Sequence, residues 1–347
     1  MNKKLLTLTL LAVTSLLFIK CSKNKDEVQA PAGPKIVYAA GIQYIGNRDV
    51  ATVWKDSVAT TLTNGSFNAS GNSVFVSGSD VYVAGNENNA AGESVAKLWK
   101  NGTATALTDG TQDAFLYSVY VVGADVYATG FESNISGMYV AKVWKNGTAT
   151  ALTDGTVNTT GRSVFVIGSD VYVAGTQFNP FAAWSAKLWK NGIVTNLTDG
   201  SRNAEALSVF VSGTDVYVTG YEAIPGGGPS VAKLWKNGIA ISLTDGSRYA
   251  HGNSVFVVGS DVYVAGDEAN AATGEPEAKL WKNGSATVIG SVRSSASSVF
   301  VSGPDVYVGG DERNATGNSG GKLWKNGTAA VLFTSPVASD VKSVFVK

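Results

Sequence analysis

The architecture is decided by the stretch Ser118-Val119-Tyr120-Val121, then Asp125-Val126-Tyr127, then Ala141-Lys142-Val143-Trp144, then Thr148 to Leu152. β-Branched and aromatic residues dominate these four short runs, called A, B, C and D here, and none is long enough for a helix. A Gly-containing turn joins A to B, as at Ser77-Gly78-Ser79, and Asn146-Gly147 joins C to D. Asn and Gly both tolerate the positive φ that a type I′ hairpin turn requires. The unit reads as four antiparallel strands.

Outward from this unit the same frame recurs. Trp-Lys stands at Trp54, Trp99, Trp144, Trp189, Trp235, Trp281 and Trp324, at spacings of 45, 45, 45, 46, 46 and 43 residues. Four strands in about 40–45 residues is the period of a propeller blade. The first unit lacks an A run and opens on Ile36-Val37-Tyr38, while an unpaired A run, Ser343-Val344-Phe345-Val346, ends the chain. A last strand that completes the first blade removes two exposed sheet edges. The expected fold is all-β: a seven-bladed β-propeller over residues 36–347, four antiparallel strands per blade, closed by the C-terminal strand.

The strand grammar resembles kelch-type propellers, although only Gly309-Gly310 carries their double glycine. The Val-Tyr-Val-Ala-Gly and Leu-Trp-Lys-Asn-Gly runs together resemble a group of bacterial surface lipoproteins built from this repeat. That resemblance implies the same fold and surface display, and it supplies no ligand.

The N-terminus reads as an address. Lys3 and Lys4 precede a fifteen-residue apolar run, Leu5 to Ile19, which is short for a membrane span and suited to a secretory signal. Cys21, the sole cysteine, follows, and the segment resembles a bacterial lipoprotein signal whose cysteine carries the lipid; Lys20 stands where a small residue is usual. Residues 1–20 are therefore expected to be a signal peptide and 21–35 a lipidated Cys21 with a flexible tether. The protein is expected to be exported and held at an outer membrane or cell surface.

Composition narrows the function. Lys+Arg and Asp+Glu both number 27, so no net field draws nucleic acid. One cysteine and one histidine, His251, leave no His or Cys cluster for a metal. No Gly-rich phosphate loop leads a strand into a helix, so no cofactor is expected.

Alternating strands put the A–B and C–D turns on one face of the disc and the B–C and D–A connections on the other. The first set is short and uniform; the second is long and varied. Binding residues favour loops over a rigid scaffold, so the B–C/D–A face is the candidate site. Its fourth unit holds Phe178, Phe181 and Trp184, the only tryptophan outside the repeat frame, and neighbouring units add Phe131, Tyr139 and Tyr221. Flat aromatic faces stack on sugar rings or anchor a protein partner. The plainer alternative is that they fold back over the blade tops. The D–A connections add Arg162, Arg202, Glu205, Arg248 and His251. No nucleophile or orienting partner accompanies His251 in a recognisable motif, so it reads as a solvent-facing side chain.

Two charge patterns recur. An acid or amide follows the B-strand glycine (Gln43, Glu87, Glu132, Gln177, Glu222, Glu268, Glu312), and a lysine begins strand C in six units, Lys97 among them. A carboxylate ring that binds a cation and cross-strand Glu–Lys pairs both fit, and the pairs fit better. A second lysine series, from Lys55 to Lys325, is expected to offset the aspartates that open strand B. The expected function is a monomeric, non-enzymatic surface propeller that binds a glycan or a protein on the B–C/D–A face. The alternatives are a hydrolase or lyase acting on polysaccharide, or an architectural subunit of a surface complex.

Overall fold

The computed structural model describes residues 35–179, 183–314, 317–330 and 337–347. The signal peptide, Cys21, the tether as far as Pro34, and Phe181 lie outside the described residues.

Each Asn-Gly pair takes the conformation that its chemistry favours. Asn101 and Gly102 have φ of 51° and 82°, and the other five pairs match them. Asn101 Oδ1 also accepts from the Val81 N–H and its Nδ2 donates to Asp80 Oδ1, both at 2.8 Å, which ties the C–D turn to the start of strand B. In the first unit Asp56 takes the same role, with φ 54° and a 3.0 Å bond from the Val37 N–H. The two hairpins of a unit merge into one sheet. In blade three, strand A is Ala114–Val122, B is Asp125–Ser133, C is Tyr139–Lys145 and D is Thr148–Ala151.

Seven such four-stranded sheets form among the described residues. The first takes strands from both ends of the chain: Ser339–Val346 is its strand A and pairs antiparallel with its strand B, Val37–Ile45. Ile36 and Lys347 exchange backbone hydrogen bonds of 2.8 and 3.0 Å beyond that ladder. The fold is the seven-bladed propeller expected from the unpaired A run, and Lys35–Lys347 forms one compact unit.

The A strands touch their neighbours in a closed circuit around the centre. The D strands are the outer edges, short and exposed at every residue in blades one to five, and short edges resist pairing with other chains. An apolar core lies between each blade and the next, seven among the described residues. In every one a repeat tryptophan, 1–2% exposed, packs in the same cluster as the strand-B tyrosine of the preceding blade, for example Trp144 with Tyr82.

Two further rings close the centre. The Ser343 hydroxyl accepts from the Val74 N–H at 3.1 Å, Ser73 from Val119 at 3.2 Å, and so on through Ser118, Ser163, Ser208 and Ser254 to Ser298, which accepts from Val344. Each blade is thus stitched to the next by one serine. Two residues along the same strands, Phe75, Tyr120, Phe165, Phe210, Phe256, Phe300 and Phe345 form a belt of tilted rings, each centroid 4.7–4.9 Å from the next, back to Phe75. Such tilted pairs add about 0.5–1.5 kcal/mol beyond the area they bury. The invariant serine and the aromatic of the A run are explained by these contacts.

The strand-B glycine has a different cause. A Cβ on Gly130 would lie 1.7 Å from the Phe115 carbonyl oxygen, and the equivalent glycines meet strand A at 1.8–2.0 Å. Here the A–B ladder slips by one residue, so that strand A carries a bulge in every blade: Lys342, Asn72, Tyr117, Arg162, Leu207, Asn253 and Ser297 have no partner in strand B. Bulges re-aim side chains. Above the bulge, toward the B–C/D–A face, the repeat loses its uniformity.

Candidate functional site at the channel mouth

The variation expected in loops is carried instead by strand ends. Strand A extends past its bulge, so Arg162, Glu205 and His251 lie within strands Asn158–Ile167, Ala204–Ser212 and Ala250–Val258. Strand B likewise runs beyond its glycine and carries Phe131, Phe178 and Tyr221, while Tyr139 opens strand C. Paired backbone holds these side chains more firmly than loops would.

The named residues form three groups. In blade four Phe178 meets Trp184 edge to face, centroids 5.0 Å apart, and Trp184 is 37% exposed. In blade three Phe131 is buried, 5.2 Å from Phe115 and 4.2 Å from Tyr139, which is 37% exposed. The fold-back alternative therefore describes Phe131, while Tyr139 and Trp184 keep exposed surface. In blades five and six Tyr221 meets His251 edge to face at 4.7 Å and donates to Glu205 Oε1 at 2.5 Å. Burial and the Glu205 charge push the Tyr221 hydroxyl far above its usual range.

His251 is better held than its sequence context suggests. Its Nδ1 lies 3.0 Å from Asp267 Oδ1 and its Nε2 3.2 Å from the Ser230 hydroxyl. Asp267 also accepts from Asn253 at 3.1 Å and from Ser295 at 2.8 Å. The reading of a solitary solvent-facing histidine is corrected: a neighbouring blade supplies the serine and the adjacent strand the aspartate, which no local motif reveals. Arg202 is engaged by its own blade, 2.9 Å from Glu222 and 3.5 Å from the Ala223 carbonyl. Arg248 repeats that clamp on Glu268 and Ala269.

The bulged residues, which sequence reading largely missed, join the groups across blades. The Arg162 guanidinium stacks 4.4 Å from the Tyr117 ring centre and reaches Glu205 at 3.4 Å. Asn72 donates to the Leu116 carbonyl at 2.8 Å, and Lys342 donates to the Ser70 hydroxyl at 2.8 Å and Asn72 Oδ1 at 3.3 Å. The signal was present: a single column that reads Lys, Asn, Tyr, Arg, Leu, Asn, Ser just before an invariant serine. Three of them, Lys342, Asn72 and Tyr117, border a cleft of 270 Å³ between blades one, two and three, lined also by Asp49, Asn86, Asn88 and Phe115 among others. Burial lowers the Lys342 pKa and raises those of Tyr117 and Asp340. On the far side, burial and the charge of Asp340 lift Asp311 to about 6.

The recurrent charges pair as expected. Lys142 binds Glu132, and Lys97, Lys233, Lys279 and Lys322 bind the equivalent glutamates. Where blade four has Gln177, Lys187 turns to Asn196 at 2.8 Å, and burial lowers its pKa. From Lys100 onward the second lysine series meets strand-B aspartates, as in Lys100–Asp80 at 2.8 Å, where the lysine and Asn101 hold that carboxyl below its usual range; Lys55 has no such aspartate and lies over the Tyr38 ring.

Comparison with known protein families finds no match, and comparison with curated proteins finds none. Among solved structures the chain is similar to the acylaminoacyl peptidase of Pyrococcus horikoshii, with a TM-score of 0.55, 13% identity, and coverage of 87% of this chain and 51% of that one. It is also similar to the β-propeller domain of the Trilobed protease from Pyrococcus furiosus, with a TM-score of 0.52, 11% identity, and coverage of 87% and 93%. The chain thus spans about half the length of the peptidase and nearly all of the isolated propeller domain. At these identities the likeness is one of fold.

Proposed function

We propose that this chain is a non-enzymatic binding propeller, displayed at a cell surface through a lipid on Cys21, which recognises a glycan at the B–C/D–A end of its channel. The observation that carries this reading is the division within strand A. Below the bulge every blade repeats Ser-Val-Phe or Ser-Val-Tyr; above it each blade presents a different set of polar and aromatic side chains. Structural needs are equal in all blades, so departure from the repeat marks residues that packing does not dictate. Exposed Tyr139 and Trp184, each backed by a phenylalanine, suit stacking on sugar rings. The resemblance to bacterial surface lipoproteins supports display.

A glycan array probed with the purified full-length chain tests the reading. Binding that is weakened in a Tyr139→Ala/Trp184→Ala variant is the expected result, and silence of the unaltered protein counts against it. A Cys21→Ser variant is expected to lose incorporation of labelled fatty acid. A second reading, a hydrolase that removes acyl groups from polysaccharide, has the Ser230–His251–Asp267 array in its favour. Ser230 is only 5% exposed, which leaves a nucleophile there little access. Turnover that disappears in Ser230→Ala would establish that alternative.

A further inference from the structure

The cleft between blades one, two and three holds an unusual set of hydrogen-bonding groups without partners. Asn86 accepts a long 3.5 Å bond from Asn72, and among the described residues its amide nitrogen donates to nothing. Asn88 accepts from Ser94 at 2.8 Å and leaves its amide nitrogen equally free. The Asp49 carboxylate has no ion pair and no hydrogen bond among the described residues, although its backbone N–H is held by Asn68 at 3.2 Å. Lys342 uses two of its three ammonium hydrogens, on Ser70 and Asn72. All four side chains line one cleft, with Phe115 and Tyr117 as its apolar wall, their rings 14° from parallel.

Half-buried groups of this kind are costly to leave without partners other than water. Their mixture restricts what can replace that water. Two amide donors, an ammonium donor and a carboxylate acceptor suit hydroxyls, which donate and accept at once. Against a phosphate or carboxylate stand Asp49 and Asp340; against a cation stands Lys342. At 270 Å³ the cleft lies at the small end of the range of about 300–1,000 Å³ usual for ligand pockets, so it suits one ring rather than a chain.

We infer that this cleft is a subsite for a single uncharged pyranose ring, packed on Phe115 and Tyr117 with its hydroxyls bound by Asn86, Asn88, Asp49 and Lys342. The inference rests on the glycan reading above and adds to it the place and the charge of one sugar unit. Asn72 and Ser70 act behind it by holding Lys342 in the floor.

Saturation-transfer NMR on the full-length chain, with a panel of neutral methyl pyranosides, methyl glucuronide and glucose 6-phosphate, tests it. At least one neutral glycoside is expected to bind, with affinity at least tenfold weaker in Asp49→Ala and in Asn86→Ala and unchanged within twofold in Lys100→Ala, beside the C–D turn on the opposite face. Asp49 has no side-chain bond to lose, so its variant stays informative even if Asn86→Ala folds poorly. Equal binding by Asp49→Ala and the unaltered protein, or binding of the charged sugars alone, would overturn the subsite. It would also fall, with the glycan reading intact, if the array were positive and no small glycoside bound. A silent array would remove the broader reading, and the subsite with it.

Discussion

The two halves of each A strand follow different rules, although they are a few residues apart on the same backbone. In the lower half the serine bonds to the next blade and the aromatic ring touches two neighbours, so each residue answers to a ring that must close. In the upper half, past the bulge, blade three places Phe115 and Tyr117, blade four Thr160 and Arg162, and blade six His251 and Asn253. Residues here bridge blades by contacts that differ from junction to junction, as Asn72 does to Leu116 and Arg162 to Glu205, while the serine and the aromatic ring repeat at every one. A repeat protein can therefore vary its sequence above the bulge and keep the joints that all its blades share.

That contrast can be broken from either side. The largest effect is expected below the bulge: Phe165→Ala removes a buried ring from between Tyr120 and Phe210, and should cost about 3–5 kcal/mol in denaturant unfolding without altering ligand binding. A loss under 1 kcal/mol would mean that the belt is not a closed packing unit.

Above the bulge the sign should reverse. The pKa of Asp311, about 6, exceeds that of an unfolded carboxyl, so the folded state keeps this proton to higher pH. Its ionisation adds no penalty below pH 4, and the penalty grows as pH rises to about 6 and is complete above it. Asp311→Asn should therefore raise stability at pH 8, by about 1–3 kcal/mol, and change it little at pH 4. Thermal melts at the two pH values check this, and equal shifts would remove the uncompensated charge from the account. The groups that face Asp311 are Ser319, Arg313, Asp340 and Asp267.

A smaller effect separates the halves more finely. Ser163→Ala strands the Val209 N–H and should cost about 1–2 kcal/mol. Asp49→Ala at the mouth should stay within about 0.5 kcal/mol, since its carboxylate makes no hydrogen bond or ion pair among the described residues and acts on Lys342 and Asp340 only through its charge. Chemical denaturation of the pair, side by side, tests whether the bulge is the boundary.

Much of this molecule was legible in its sequence. The tryptophan period, the Asn-Gly turns and the orphan strand Ser343–Val346 were enough for blade count, strand order and closure, because local propensity and turn chemistry repeat seven times and agree. The Glu–Lys and Asp–Lys pairs were legible for the same reason, being contacts between adjacent strands of one sheet. The mouth was not. Tyr117, Arg162 and Lys342 look like strand residues of no distinction until the Gly–carbonyl approach opposite them makes a bulge. Ser230 meets His251 and its cross-strand partner Asp267 only because a blade packs on its neighbour, and the cleft joins Lys342 from the end of the chain to Asp49 near its start. Those contacts are set by closure of the ring, a constraint on three-dimensional distance that no spacing along the chain expresses.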